Sequence, residues 1–316
     1  MTALPVSRAA DLKQRPPERR WLIDELWGDE AVGIVGGEPK CCKSFLALDM
    51  AVSVAGGAPC LRRFTATQTG RVLLYAAEDA LHIVRQRLAG IAAAAGRALA
   101  DLDIHVITAP SVRIDLERDR DALSETISTL KPKLLILDPF VRLHRIDENL
   151  SGEVAPLLAY LRELQRRFHL AVVLVHHARK GGAKMRAGQA LRGSSEFHAW
   201  GDSNLYLRRH GDQLALSVEH RAAAAITAVS LQLAIDGDAI ALATIERGAS
   251  VTPAITAPIT LADQIEAQLA EAAAPLTAAA IRKLCQVRNA TLTTALAGLV
   301  AAGRVRKDAI GYVISR

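Results

Sequence analysis

Gly37-Glu38-Pro39-Lys40-Cys41-Cys42-Lys43-Ser44 follows an apolar run, Ala31–Val35, and opens a helix-forming stretch from Ser44 to about Val54. Strand, glycine-started turn, Lys-Ser and helix are the parts of a phosphate-binding loop, whose pattern is G-x-x-x-x-G-K-[ST]. Such a loop surrounds phosphates with backbone amides at a helix N-terminus, while the lysine reaches the outer phosphate oxygens and the hydroxyl binds Mg2+. Gly37, Lys43 and Ser44 fit, and Glu38 to Phe45 make up the rest of the nucleotide-binding set, but Cys42 stands where the second glycine belongs. A Cβ there crowds the phosphates, and a positive φ at that position adds roughly 1–3 kcal/mol of strain. Three other readings stay open: a Lys-rich turn at a helix start, a degenerate loop that binds nucleotide but turns it over poorly, and a redox-sensitive Cys41–Cys42 pair beside two lysines.

Carboxylates end two further apolar runs. Leu134–Leu137 runs into Asp138, which suits a Walker B strand holding Mg2+ opposite Ser44. Val72–Ala76 is followed by Glu78 and Asp79; one of them can polarise the attacking water, and both also read as N-capping groups for a helix from Ala80 to Ile91. Ala171–Val175 leads into His176 and His177, placed to sense a γ-phosphate or to be satisfied structurally.

Basic residues gather in two places. Residues 178–194 hold Arg179, Lys180, Lys184, Arg186 and Arg192 with no acidic residue, which reads as a loop on the phosphates of single-stranded DNA or as a solvated loop. Near the C-terminus, Arg288, Asn289 and Thr291 start a helix, and Arg304, Arg306 and Lys307 follow it. These residues suit a recognition helix and wing on duplex DNA, or a module that docks an initiator protein.

The elements that must position these groups alternate. The apolar runs named above, together with Ile104–Thr108, lack polar alternation and suit strands buried on both faces of a parallel sheet. Between them lie helices, the clearest being Ser151–Phe168, with Ser151 as N-cap and Val154, Leu157, Leu158, Leu161 and Leu164 on one face. Trp21–Trp27 reads as a short amphipathic helix or a docking segment. After Ser203 the pattern becomes hairpins: Leu205–Arg208, Leu214–Glu219, then Leu231–Ile235 and Ala239–Ile245 around a DGD turn. The expected architecture is α/β, an open sheet with flanking helices and a small C-terminal winged helix-turn-helix. The expected domains are a leader over 1–24, an ATPase domain over 25–249, a linker over 250–260 and the winged helix over 261–316.

Composition agrees with that plan. At 316 residues, 50% hydrophobic and 23% charged, the chain can bury a large core and is not broadly disordered. The first twenty residues have no apolar stretch of the kind a secretory signal needs, and no run suits a membrane span. Four cysteines without a C-x-x-C spacing disfavour zinc and disulfide frameworks, so a cytoplasmic setting is expected. The net charge of +6 is concentrated: residues 178–194 alone contribute five positive charges.

Several ordered motifs in this chain resemble one family. Ala77-Glu-Asp79, Leu137-Asp-Pro-Phe-Val-Arg-Leu-His144, Asp147-Glu-Asn-Leu-Ser-Gly152, His176-His-Ala-Arg-Lys-Gly181 and Leu191-Arg-Gly-Ser-Ser195 are similar to those of RecA-like hexameric replicative helicases of the plasmid RepA type. That type belongs to a wider group with DnaB-type helicases and KaiC-like ATPases, and the likeness covers roughly residues 25–245. It implies a homo-oligomeric ring, a hexamer, that uses ATP and Mg2+ on single-stranded DNA. It further implies that Lys43 and Ser44 bind phosphate and Mg2+, that Glu78 is the catalytic base and Asp138 the Walker B carboxylate. His176 would link the γ-phosphate to the following loop. Glu219-His-Arg221 occupies the place of a K-x-R element, so Arg221 is the expected arginine finger to a neighbouring subunit, with Arg208 and Arg209 as fallbacks. Glu219 departs from the lysine of that element.

Overall fold

The computed structural model describes residues 4, 6–12, 16, 20–177, 196–210, 213–245, 261–271, 275–285, 289–308 and 311–314, excepting the side chains of 210, 227, 263, 264, 267, 271, 283 and 289–291. The expected linker over 250–260, the basic segment 178–194 with Arg179, Lys180, Lys184 and Arg186, and Arg288 lie outside these residues. The chain forms two units, 1–247 and 248–316.

The first unit is built on a nine-stranded sheet. Its strands are β3 (Val32–Gly37), β4 (Val72–Ala76), β5 (Ile104–Val106), β6 (Leu134–Asp138), β7 (Ala171–His177), β8 (Ser203–His210), β9 (Gln213–His220), β10 (Ile226–Asp236) and β11 (Ala239–Thr244), in the order β11-β10-β9-β8-β3-β7-β6-β4-β5. From β8 to β5 neighbouring strands run parallel, and β8 to β11 are successively antiparallel. The hairpins after Ser203 therefore extend the parallel sheet.

Alternation along the central strands divides two apolar layers. Val35, Val72, Leu74, Leu134, Ile136, Val173 and Val175 pack with helices α1 (Lys43–Gly56) and α2 (Leu81–Ala94). Val32, Ile34, Leu73, Leu135, Leu137, Val172 and Leu174 pack with α3 (Glu117–Leu130) and α4 (Ser151–Phe168) on the opposite face. Both faces being covered is why these strands carry no polar alternation. Helix α4 has its apolar stripe inward as its spacing requires, but its N-cap is Leu150 and makes no side-chain hydrogen bond; Ser151 is the first helical residue. Gly33 allows β3 to touch the start of β8, since a Cβ there would lie 1.7 Å from the Ser203 carbonyl oxygen.

Two expectations at the N-terminus are corrected. Trp21–Trp27 is not a helix: β1 (Trp21–Ile23) and β2 (Trp27–Gly28) form a small antiparallel hairpin. Leu22, Ile23, Leu26 and Trp27 are all fully buried, a spacing that one helical face would also satisfy, so the pairing of the two strands and not the pattern decides for the hairpin. The folded body thus begins at Trp21, ahead of the expected boundary at 25.

The second unit contains α6 (Leu261–Glu271), α7 (Ala278–Cys285), α8 (Asn289–Ala301) and an antiparallel ribbon of β12 (Val305–Lys307) and β13 (Tyr312–Ile314). Leu276 bridges to Tyr312, and Ile265, Ile281, Leu292, Leu296, Leu299 and Val305 form its separate core. Thr277 caps α7 by accepting the Ala280 amide through its hydroxyl at 3.2 Å. Gly303 ends the third helix's turn at φ +68°. Among the described residues no helix is long and apolar enough to cross a membrane.

Candidate active site

The cavity at the carboxyl ends of β3, β4, β6 and β7 is lined by Lys40 to Phe45, Ala76, Glu78, Asp79, Arg87, Asp138, Val175 and His177, with a volume of about 320 Å³. Six of the nine residues expected to bind nucleotide or metal by their place in the loop are therefore joined by Glu78 and Asp138 from separate strands. The turn from β3 begins at Gly37, whose φ is +156°; a Cβ there would lie 2.4 Å from the Leu207 carbonyl oxygen and 2.6 Å from Cys41 Sγ. Only glycine lets the loop leave the sheet at this point.

Lys43 is buried, and its Nζ donates to the Glu38 carbonyl oxygen at 2.7 Å, so the loop curls around its own ammonium group. Burial pushes the Cys41 thiol up against the opposing pull of Lys43. Cys42 has φ 64° and ψ 28°, the left-handed conformation a glycine would hold freely. For an L side chain that conformation costs roughly 1–2 kcal/mol. Cys42→Gly is therefore expected to raise stability by about 0.5–1 kcal/mol after its extra unfolded-state entropy is subtracted, and Cys42→Val to lower it by more than 1 kcal/mol. Urea unfolding checks both; a destabilised glycine variant would contradict the strain.

Asp138 is buried opposite Ser44. Burial pushes its carboxyl up, the Ser44 hydrogen bond and Lys43 oppose this, and the Asp79 and Glu78 charges raise it further, to about 6. One hydroxyl and a group of crowded carboxylates are hard oxygen donors whose surplus negative charge a divalent cation would neutralise, so the donor set fits such an ion. Among the described residues no three His, Cys, Asp or Glu side chains would hold a metal by themselves.

Glu78 and Asp79 do not cap α2: its N-cap is Ala80, with no side-chain hydrogen bond. Asp79 is paired with Arg87, whose guanidinium also lies 5.5 Å from the centre of the Phe45 ring. Glu78 Oε1 accepts from Arg142 Nε at 3.0 Å. Arg87 is the residue sequence reasoning missed; it sits in the second turn of a surface-type helix, and nothing local distinguishes it from Arg85.

The two histidines separate. His177 lines the cavity with Val175, whereas His176 is 2% exposed on the other face, packed at a tilt against Phe197 at 4.4 Å between ring centres. Strand alternation forces this split, because the face bearing Val173 and Val175 is the one covered by α1. His176 is thus not brought to the phosphate loop, and its neighbour is.

Arg221 lies away from the cavity. Its guanidinium donates to the Ala199 and Trp200 carbonyls at the end of α5 (Glu196–Trp200) and lies 3.6 Å from Asp202, with a little over half its side chain exposed. Glu219 is 3.6 Å from His198. Arg209 instead meets its own chain's loop, donating to the Lys40 carbonyl at 3.2 Å. In the second unit, Asn289 and Thr291 fall in the first turn of α8, and Arg306 is exposed on β12, 3.7 Å from Asp308.

A strand–loop–helix that ends on Lys43-Ser44, beside a strand ending in a buried aspartate within a mostly parallel sheet, defines a RecA-like P-loop ATPase, a nucleotide-binding class that works with a divalent metal. A family model described as an AAA domain matches residues 2–183. The chain belongs to that family. Its fold is similar to that of a DnaB-like replicative helicase, solved in a study of its interactions with primase, with TM-score 0.51 at 13% identity over 67% of this chain. The chain spans 57% of that helicase's length. It is also similar to the RadB recombinase, with TM-score 0.50 at 15% identity, covering 69% of this chain and 92% of that one.

Proposed function

We propose that this chain is an ATP-driven DNA motor, a ring-forming helicase of the replicative type from a mobile element, moving on single-stranded DNA. The observation that carries the reading is the end of β7. His177 lines the nucleotide cavity, and the sequence runs from it directly into residues 178–194, with five basic residues and no acidic one. A change at the phosphates is then one residue from the segment that would hold the strand.

In this reading Lys43 and the loop amides hold the phosphates of ATP, Ser44 and Asp138 hold Mg2+, and Glu78 orients and deprotonates the attacking water. Bound Mg2+ supplies charge neutralisation on the phosphates. Arg221, exposed at the surface, reaches the nucleotide of a neighbouring subunit in a hexameric ring. Three helices followed by a ribbon support reading 261–316 as a winged helix, in which Arg288, Asn289, Thr291 and Arg306 would meet duplex DNA or an initiator protein.

The test is ATP hydrolysis with and without single-stranded DNA, together with strand displacement from a forked duplex. Hydrolysis is expected to rise about tenfold with DNA, and Lys43→Ala to abolish both activities. A second reading, a nucleotide-switched regulator, loader or recombination accessory ATPase with weak turnover, draws on Cys42 in its strained place. Tight ATP binding without DNA-stimulated hydrolysis would favour that reading and reject the motor.

A further inference from the structure

The two carboxylates after β4 are each met by a different arginine. Asp79 is held by Arg87 inside the cavity wall, and Glu78 by Arg142 from outside it. Arg142 belongs to a one-turn 3-10 helix, Phe140–Arg142, that continues β6 past Asp138. An ion pair between two exposed side chains ordinarily contributes little, because both keep their rotamer freedom. Here the arginine's backbone is fixed on either side.

Phe140 and Leu143 are fully buried, and His144 nearly so. The Phe140 ring packs on His144 at 4.4 Å and on Phe197 at 5.3 Å between centres. Glu148 stands between two imidazoles, Oε1 at 3.3 Å from His144 Nε2 and Oε2 at 3.5 Å from His176 Nε2. These are close electrostatic contacts at the long edge of hydrogen bonding, and they tie the turn to β7. His176 thus has a use that its position away from the phosphates leaves open: it anchors the turn that carries Arg142.

We propose that Arg142 is a positioning residue for Glu78, held by the buried Phe140–His144 turn so that its guanidinium occupies Oε1 and leaves Oε2 to take the proton of the attacking water. A base with one oxygen fixed by a preorganised partner has one orientation to reach, and misplacement of such a group by an ångström costs up to roughly a hundredfold in rate. The inference rests on Glu78 being the base.

The experiment compares Arg142→Ala, Arg142→Lys, Glu78→Gln and the double variant Glu78→Gln/Arg142→Ala. Steady-state hydrolysis is read alongside titration of a fluorescent ATP analogue, with melting temperature as the folding control. Arg142→Ala is expected to lower kcat roughly 10- to 100-fold with KM and analogue affinity within about twofold, Arg142→Lys to recover part of the loss, and the double variant to be no slower than Glu78→Gln alone. A kcat unchanged in Arg142→Ala, a loss confined to KM and affinity, or a double variant slower by the full product would overturn the proposal. A Glu78→Gln enzyme as fast as the parent would overturn the base assignment and this inference together. A slow Glu78→Gln with a fast Arg142→Ala would overturn this inference alone.

Discussion

Glu78→Gln is expected to lower ATP hydrolysis roughly 10²- to 10⁴-fold while leaving nucleotide affinity within about twofold. Three carboxylates face the cavity, and their surroundings assign them different work. Asp138 is buried and hydrogen-bonded to Ser44, where it can hold a cation but has little access to water. Asp79 is closed against Arg87. Glu78 keeps 43% of its side chain exposed and has one oxygen bonded to Arg142, so it is the carboxylate with both access and a fixed orientation. Glutamine preserves its shape and can still meet water, but it cannot accept the proton. Phosphate release at saturating ATP and titration of an ATP analogue measure the two quantities separately. Hydrolysis within tenfold of the parent would remove Glu78 from the role; Asp79→Asn, with a smaller loss and weaker binding, is the matched control.

Much of this arrangement was legible in residue order. Strand–helix alternation, the lengths of β4 and α4, and the hairpins after Ser203 follow from periodicity, since a strand covered on both faces and an amphipathic helix write different patterns. The phosphate loop and its two partner carboxylates were legible because each ends an apolar run. What was not legible depends on contacts between distant segments. The choice between His176 and His177 turns on which face α1 covers, and the pairing of Glu78 with Arg142 joins segments 64 residues apart in the chain. Trp21–Trp27 misled because seven residues rich in large apolar side chains satisfy helical spacing as well as a hairpin. The pairing of its two strands decides for the hairpin, and only the tertiary fold reveals that.

Stability of the first unit should peak in acidic solution, because a buried carboxylate, Asp49, and a half-buried one, Glu148, are shifted in opposite directions. Asp49, on the second turn of α1, is fully buried with Arg62 at 2.5 Å. Burial dominates over the pull of Arg62 and pushes its carboxyl from 3.8 up to about 7. The folded state therefore holds a proton that the unfolded state releases. That contribution is complete below about pH 3.8 and is lost as pH rises through 7, amounting to about 4 kcal/mol at most. Asp138, raised to about 6, acts in the same sense. For Glu148, burial raises the carboxyl, but the contacts with His144 and His176 outweigh it and bring it from 4.5 down to about 2. Its contribution is present above 4.5 and is lost as pH falls toward 2, about 3 kcal/mol at most. The limb that declines upward starts at pH 3.8 and the limb that declines downward starts at 4.5, so the stability curve should be highest near pH 4. Asp49→Asn should flatten most of the decline toward neutral pH, leaving the part due to Asp138, and Glu148→Gln should flatten the acid limb. Urea unfolding of the full chain at pH 2, 4 and 7.5 reads both effects. An alkaline limb unchanged by Asp49→Asn would mean that Arg62 keeps that carboxylate ionised in the folded protein, and the buried pair would then be a true ion pair of the kind whose removal costs roughly 3–5 kcal/mol.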